Sequence, residues 1–290
     1  MTKAGAHGKA ALVIAHPGHE LCVYGWLETV RPRVFVLTDG SGRSATSRLK
    51  STSKILSVVG ATAGSIYGRF TDQKLYAAIL QRDFALFKRL VTELTQALIS
   101  EEIELVTGDA LEGYNPIHDT CRLVIDAAVK RARYEAGRSI INSDFLLLGR
   151  HEANPEALCA GDTCLKLDDD TLARKLATAR AYPELKGEVD AVLNQQTPEI
   201  LRSFPSLREH FDKVVTRPMG SEAYRVECLR RVEDANGSTA RDQAVPFYER
   251  YGEMLVAAGV YNRAIRYREH FVPLAQAINH FVEGSHREVR

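Results

Sequence analysis

Short apolar runs that end in turn residues alternate with amphipathic stretches through the first half of this chain, and that alternation restricts the fold more than any other feature. Residues 11–15 and 34–38 are rich in branched side chains and stop at Pro17-Gly18 and at Asp39-Gly40. Residues 103–107 stop at Gly108-Asp109, and 145–148 stop at Gly149. Runs this short, closed by turn formers, read as buried strands. Between them, 48–59, 76–100 and 123–132 carry apolar residues at three- and four-residue steps, the spacing of one buried helix face. Strand and helix in turn predict an α/β fold, a mostly parallel Rossmann-like sheet flanked by helices.

The second half changes character. Residues 172–193, 245–258 and 263–282 read as helices, the last kinked or split by Pro273. Asp168-Asp169-Asp170 before Thr171 is a negatively charged helix start. Residues 213–216 read as one further strand. The expected division is an α/β core over 1–160 and a mainly helical extension over 161–290, joined where Asn154-Pro155 and Gly161-Asp162 interrupt regular structure.

With 290 residues, 45% of them hydrophobic, the chain has enough apolar surface for a sizeable core. A formal charge of +1 gives no overall attraction to nucleic acid. No apolar run reaches the ~20 residues of a membrane span, and no apolar leader is visible near the N-terminus, so the expectation is a cytoplasmic protein. The five cysteines, Cys22, Cys121, Cys159, Cys164 and Cys228, are odd in number and read as reduced thiols, with Cys121 in the core.

His16-Pro17-Gly18-His19-Glu20 falls at the carboxyl end of the first strand, where open α/β sheets place their ligands. If the strands are parallel, the Thr38-Asp39-Gly40 turn and the loop from Asp109 to His118 open on the same edge. Two imidazoles three residues apart, with His118 as a third, have the donor types of a metal centre. The plainer reading makes His16 and His19 helix-start histidines bonded to backbone, and makes His118 and Asp119 first-turn residues of a helix opened by Pro116. His7, His151, His210, His270, His280 and His286 have no ligand spacing.

The succession Ala15-His16-Pro17-x-x-Glu20, Thr38-Asp39-Gly40 and Glu112-Gly113-Tyr114-Asn115-Pro116-Ile117-His118-Asp119 resembles the LmbE/PIG-L family of zinc-dependent N-deacetylases. Arg48, twelve residues before Gly60, stands at the family's arginine spacing, Asp72 at the place of a substrate-contacting aspartate, and Lys175, Ala179 and Tyr182 on its next helix. The likeness runs through roughly the first 185 residues. It implies zinc, or another divalent transition metal, on His16, His19 and His118. It also implies a small-molecule or glycoconjugate substrate held by Asp39, Arg48, Asp72 and Tyr114. Five of its residues are exchanged: the family's metal-binding aspartate is His19, its basic aspartate is Gly18, the glutamate after its arginine is Ser51, and the first histidine and the aspartate of its H-P-D-H segment are Asn115 and Ile117. Asn115 can still donate to an oxyanion, whereas a replacement base must come from Glu20, Asp39, Asp119 or the second half. The implied activity is amide hydrolysis on an N-acyl, amino-sugar-like compound. Two alternatives are a non-catalytic metal- or glycan-binding descendant of the fold and, on the Asp39-Gly40-Ser41-Gly42 turn, a sugar-nucleotide-binding transferase.

Overall fold

The computed structural model describes residues 9–42, 44–148, 161–194, 196–197, 199–214, 220–233 and 245–287. Its strands are β1 (Ala10–Ile14), β2 (Arg33–Thr38), β3 (Thr62–Phe70), β4 (Leu105–Asp109), β5 (Ile141–Phe145), β6 (Thr163–Lys166) and β7 (Val226–Arg231). They form one seven-stranded sheet in the order β3-β2-β1-β4-β5-β7-β6. The β3-to-β5 part is parallel throughout. β7 runs antiparallel to β5, and β6 antiparallel to β7.

Every residue of β1 is buried, as expected for a central strand covered on both faces, which needs no polar alternation. The strand order reverses between β1 and β4, so the carboxyl ends of these two strands border the crevice of a topological switch point.

The helices are α1 (Tyr24–Val30), α2 (Leu49–Val59), α3 (Asp72–Leu80), α4 (Phe84–Ser100), α5 (Pro116–Ala136), α6 (Asp169–Arg180), α7 (Lys186–Leu193), α8 (Glu199–Ser203), α9 (Arg208–Val214), α10 (Phe247–Ala257) and α11 (Val272–Arg287). One core layer joins Phe87, Leu90, Leu94 and Leu98 of α4 with Ile117, Val124 and Ala128 of α5 and Leu274 and Ile278 of α11. Each such fully buried large side chain contributes about 1.5–3 kcal/mol of hydrophobic stabilisation. The opposite layer joins Leu12, Ile14, Val34 and Val36 with Leu27 of α1, Leu56 of α2, and Tyr182, Leu185 and Val189 beyond α6. The second half of the chain therefore supplies part of both faces. Among the described residues, no helix is long and apolar enough to cross a membrane.

The fold class read from the sequence is the one observed; several element readings are corrected. The periodic stretch 76–100 is broken, because Arg82 takes a left-handed backbone and the Asp83 side chain accepts from Leu86 N to start α4. The stretch 172–193 divides at a one-turn 3-10 helix, Pro183–Leu185, where proline removes a backbone donor. The last helix begins as a π-helical turn, Tyr267–Phe271, ahead of Pro273. The strand read at 145–148 ends at Phe145. Lys213 and Val214 close α9 rather than forming a strand, and Val215-Thr216 lie outside the described residues.

Three strands escaped the pattern: β3, which has one buried residue and lies at the sheet edge, β6, which is exposed throughout, and β7. Cys164 and Cys228 are not reduced thiols. They face each other across the β6–β7 ladder and form a disulfide. Cys22 and Cys121 are free, the latter buried in the core, and Cys159 lies outside the described residues. The Asp168 reading holds, since its carboxylate accepts from Thr171 N at 2.7 Å.

Candidate functional site

β1 delivers its chain end into a one-turn 3-10 helix, His19–Val23, through Gly18 at φ 107°. His16 and His19 flank that turn, and His118 lies in the first turn of α5, after the Asn115 cap and Pro116. The three imidazoles meet. Ring centroids are 5.2 Å apart for His16–His19, 4.9 Å for His16–His118 and 4.5 Å for His19–His118, with the rings steeply inclined to one another. Three imidazoles bound tetrahedrally at about 2.0–2.1 Å from one zinc ion have their ring centres about 5 Å apart. Among the described residues, however, no group of three or more His, Cys, Asp or Glu side chains is already gathered as a metal-ligand set.

Acceptors gather at the Nδ1 atoms of two of these rings. His16 Nδ1 lies 2.7 Å from Thr38 Oγ1, which also bonds Ala15 O at 3.1 Å. With the Asp72 carboxylate beside it, a proton on Nδ1 is the favoured assignment, and Nε2, buried and without a partner, then presents its lone pair. Asp72 Oδ1 lies 2.9 Å from the same Nδ1 and supplies charge, the better-aligned hydrogen bond going to Thr38. His19 Nδ1 lies 3.0 and 2.9 Å from the two oxygens of Asp109, which is fully buried and also accepts from Ala15 N. A carboxylate behind Nδ1 leaves the lone pair on Nε2, the arrangement that orients histidine ligands where a metal is bound. The donor chemistry thus fits a divalent transition metal.

Burial lowers the pKa of His16, against the pull of Asp72, and lowers that of His118 well below the usual value, with His19 and His16 adding to the effect. Burial raises Asp72, but contact with His16, helped by Thr38 and Gly42 N, brings it down to about 2.

The remaining sequence candidates fall into two groups. Glu20, Asp119 and Asn115 are tied to the loops. Glu20 is fully buried, with Oε2 accepting from Gly18 N and Oε1 from Thr52 Oγ1, both at 2.6 Å. Desolvation raises its pKa in spite of those bonds. Asp119 Oδ1 accepts from Glu112 N and Gly113 N. Asn115 caps α5, with Oδ1 accepting from Ile117 N at 2.8 Å.

Asp39, Arg48 and Tyr114 are partly open. Asp39 Oδ1 accepts from Ser41 N. The aliphatic part of Arg48 lies over Gly40, and its guanidinium is 3.8 Å from Glu188. Tyr114 stacks on Phe247 of α10 at 5.1 Å, with its ring centre 6.4 Å from His118. Asp72 is engaged with His16 and with Gly42 N.

Two residues that shape this site were not singled out from the sequence. Asp109 was visible only as a strand end. Leu185, from the extension, sits where a side chain at residue 18 would go: a Cβ on Gly18 would lie 2.4 Å from Leu185 Cδ1. Hydrocarbon of Leu185 therefore occupies the space beside Gly18.

Fold and site together define an α/β protein with a polyhistidine crevice at the carboxyl edge of its parallel strands. No protein-family profile matches the sequence, and no curated protein matches it. Solved structures do show likeness. A deacetylase triple mutant of the teicoplanin biosynthetic pathway aligns at TM-score 0.47 and 13% identity, covering 79% of this chain and 100% of the other. The zinc-inhibited form of teicoplanin deacetylase Orf2 aligns at 0.43 and 13%, covering 78% and 100%. The conserved protein TT1542 from Thermus thermophilus aligns at 0.45 and 15%, covering 81% and 99%.

Proposed function

We propose that this chain is a metal-dependent amide hydrolase of the LmbE/PIG-L type, acting on an N-acyl, amino-sugar-like small molecule or glycoconjugate. One observation carries the reading: three imidazoles in mutual contact, His16 and His118 buried and His19 partly buried, with His19 Nδ1 on the buried carboxylate of Asp109 and His16 Nδ1 on Thr38 beside Asp72. Zinc or a similar ion, when bound, supplies a Lewis acid that acidifies water and polarises a carbonyl.

His16, His19 and His118 would hold it. Asp72 and Asp109 keep the protons of the first two rings on Nδ1, and the lowered pKa of His118 keeps that ring neutral at physiological pH. Asn115, with Oδ1 committed to Ile117, has its amide N–H free to face a developing oxyanion. We assign proton acceptance to Asp39, the half-buried carboxylate of this edge with only Oδ1 engaged by backbone. Glu20 and Asp119 serve by holding the two loops, and Arg48 and Tyr114 flank the substrate. Residues 1–160 form the catalytic core in this reading. The extension, 161–290, closes over it.

The filled space at Gly18 favours a second reading, a metal- or glycan-binding protein without turnover. Metal content per chain, in protein purified without chelator or metal-binding tag, decides whether the centre exists. The expectation is near-stoichiometric zinc or a related metal, lost in His118→Ala, together with turnover in a screen of N-acyl amines. Metal without turnover selects the binding protein. No metal after reloading overturns both.

A further inference from the structure

The 3-10 helix that carries His19 ends where α1 begins, at Val23, and nothing local caps that joint. Val23 offers no side-chain acceptor to the first N–H groups of α1. The acceptor arrives from two hundred residues away. Glu227 of β7 accepts from Gly25 N through Oε1 and from Trp26 N through Oε2, both at 2.9 Å. Lys175 of α6 donates to the same Oε1 at 2.7 Å and to the carbonyl of Cys22, within the 3-10 helix, at 3.1 Å. A carboxylate thus sits at a helix start and an ammonium beside a helix-end carbonyl, each where the peptide dipoles favour it.

Glycine at residue 25 leaves this approach uncrowded. A Cβ there would come within 2.3 Å of Leu167 Cδ2 and 3.4 Å of Glu227 Oε2. The two charged side chains are 1% and 0% exposed. A buried pair of this kind is not a source of net stability, because desolvation of both ions offsets their attraction and apolar replacements are often neutral or better. Its value lies in fixing geometry. Here the fixed object is the joint at the carboxyl end of the 3-10 helix bearing His19, whose other end is held by Glu20.

We propose that Lys175 and Glu227 are a positioning pair for the histidine centre, capping this joint from the extension so that His19 stands against Asp109 and beside His16 and His118. The inference rests on the reading of these histidines as a metal centre. The full-length Lys175→Met/Glu227→Leu variant removes both charges and leaves no unpaired ion. Two readouts are taken: Co(II) affinity from the visible absorption of the added ion, and the low-field Nδ1–H resonance of His19 in metal-free, ¹⁵N-histidine-labelled protein.

The expected result is a folded protein that binds Co(II) about 10–100-fold more weakly, as when an outer-shell partner is lost, with the His19 resonance shifted or broadened. A folded variant with wild-type affinity and an unchanged resonance overturns the proposal. If the wild-type chain takes up no Co(II), the metal reading has failed by itself. The resonance then decides: unchanged, it overturns the pair's role; displaced, it sustains it. Should the double variant not fold, Glu227→Gln, which keeps the side-chain volume and loses the charge, is judged by the same two signals.

Discussion

Substituting Gly18 by alanine tests whether the extension closes over the histidine loop. Gly18 has φ 107°, so a side chain strains the backbone by about 1–2 kcal/mol. The new Cβ also falls 2.4 Å from Leu185 Cδ1, an overlap that must be relieved by moving a buried side chain. Because the touched atom is the tip of a leucine, the overpacking part belongs near the lower end of the usual ~1–3 kcal/mol. Gly18→Ala alone should therefore destabilise by about 2–4 kcal/mol. Leu185→Ala alone should lose about 2–5 kcal/mol to the cavity it leaves.

In the double variant the overlap vanishes and the alanine methyl enters vacated space, while the backbone strain stays. The loss should thus fall short of the sum of the two singles by about 1–2 kcal/mol. Urea unfolding of all four proteins measures this, provided the slopes agree. A sum that is additive within about 0.5 kcal/mol would refute the claim that Leu185 occupies the side-chain space of residue 18.

Three further outcomes follow from the same structure. In metal-free protein, His118 stays neutral when folded but takes up a proton at its ordinary pKa of 6.5 when unfolded. The unfolded state then binds more protons below that pH, so stability should fall by up to about 1.4 kcal/mol per pH unit on acidification. His118→Gln should flatten this slope, and parallel curves for the two proteins would count against it. Asp72, held at about 2 against 3.8 for an ordinary aspartate, contributes stability that is complete above pH 4 and lost as pH falls through 2. Asp72→Asn should accordingly be about 2 kcal/mol less stable at neutral pH, with the gap closing in acid. Reduction of Cys164–Cys228, which join positions 64 residues apart, should lower stability by about 2–4 kcal/mol. It should also raise the alkylatable thiols by two, and an unchanged thiol count would disprove the bond.

What the sequence determined by itself is local. The apolar run 10–14, unbroken by polar residues, could only be a strand covered on both faces, and parallel strands place their carboxyl ends together. His16, His19 and His118 were legible for that reason, since the first two follow such a strand by a few residues and the third closes the loop after another. The cap at Asp168 was legible too, because a cap acts on a donor two or three residues on.

Only the tertiary structure decided who stands behind these residues. Asp109 meets His19 across 90 positions, Glu227 meets Gly25 across 202, and Cys164 meets Cys228 through the register of a ladder whose strands carry no clear alternation. Leu185 reads in sequence as one more apolar helix residue, and folding alone puts its methyl over Gly18. Periodicity records which face of an element is buried. It does not record which distant side chain arrives there, because that depends on chain path and packing. The histidines were therefore readable one by one, and their carboxylate partners, their plug and their clamp were not.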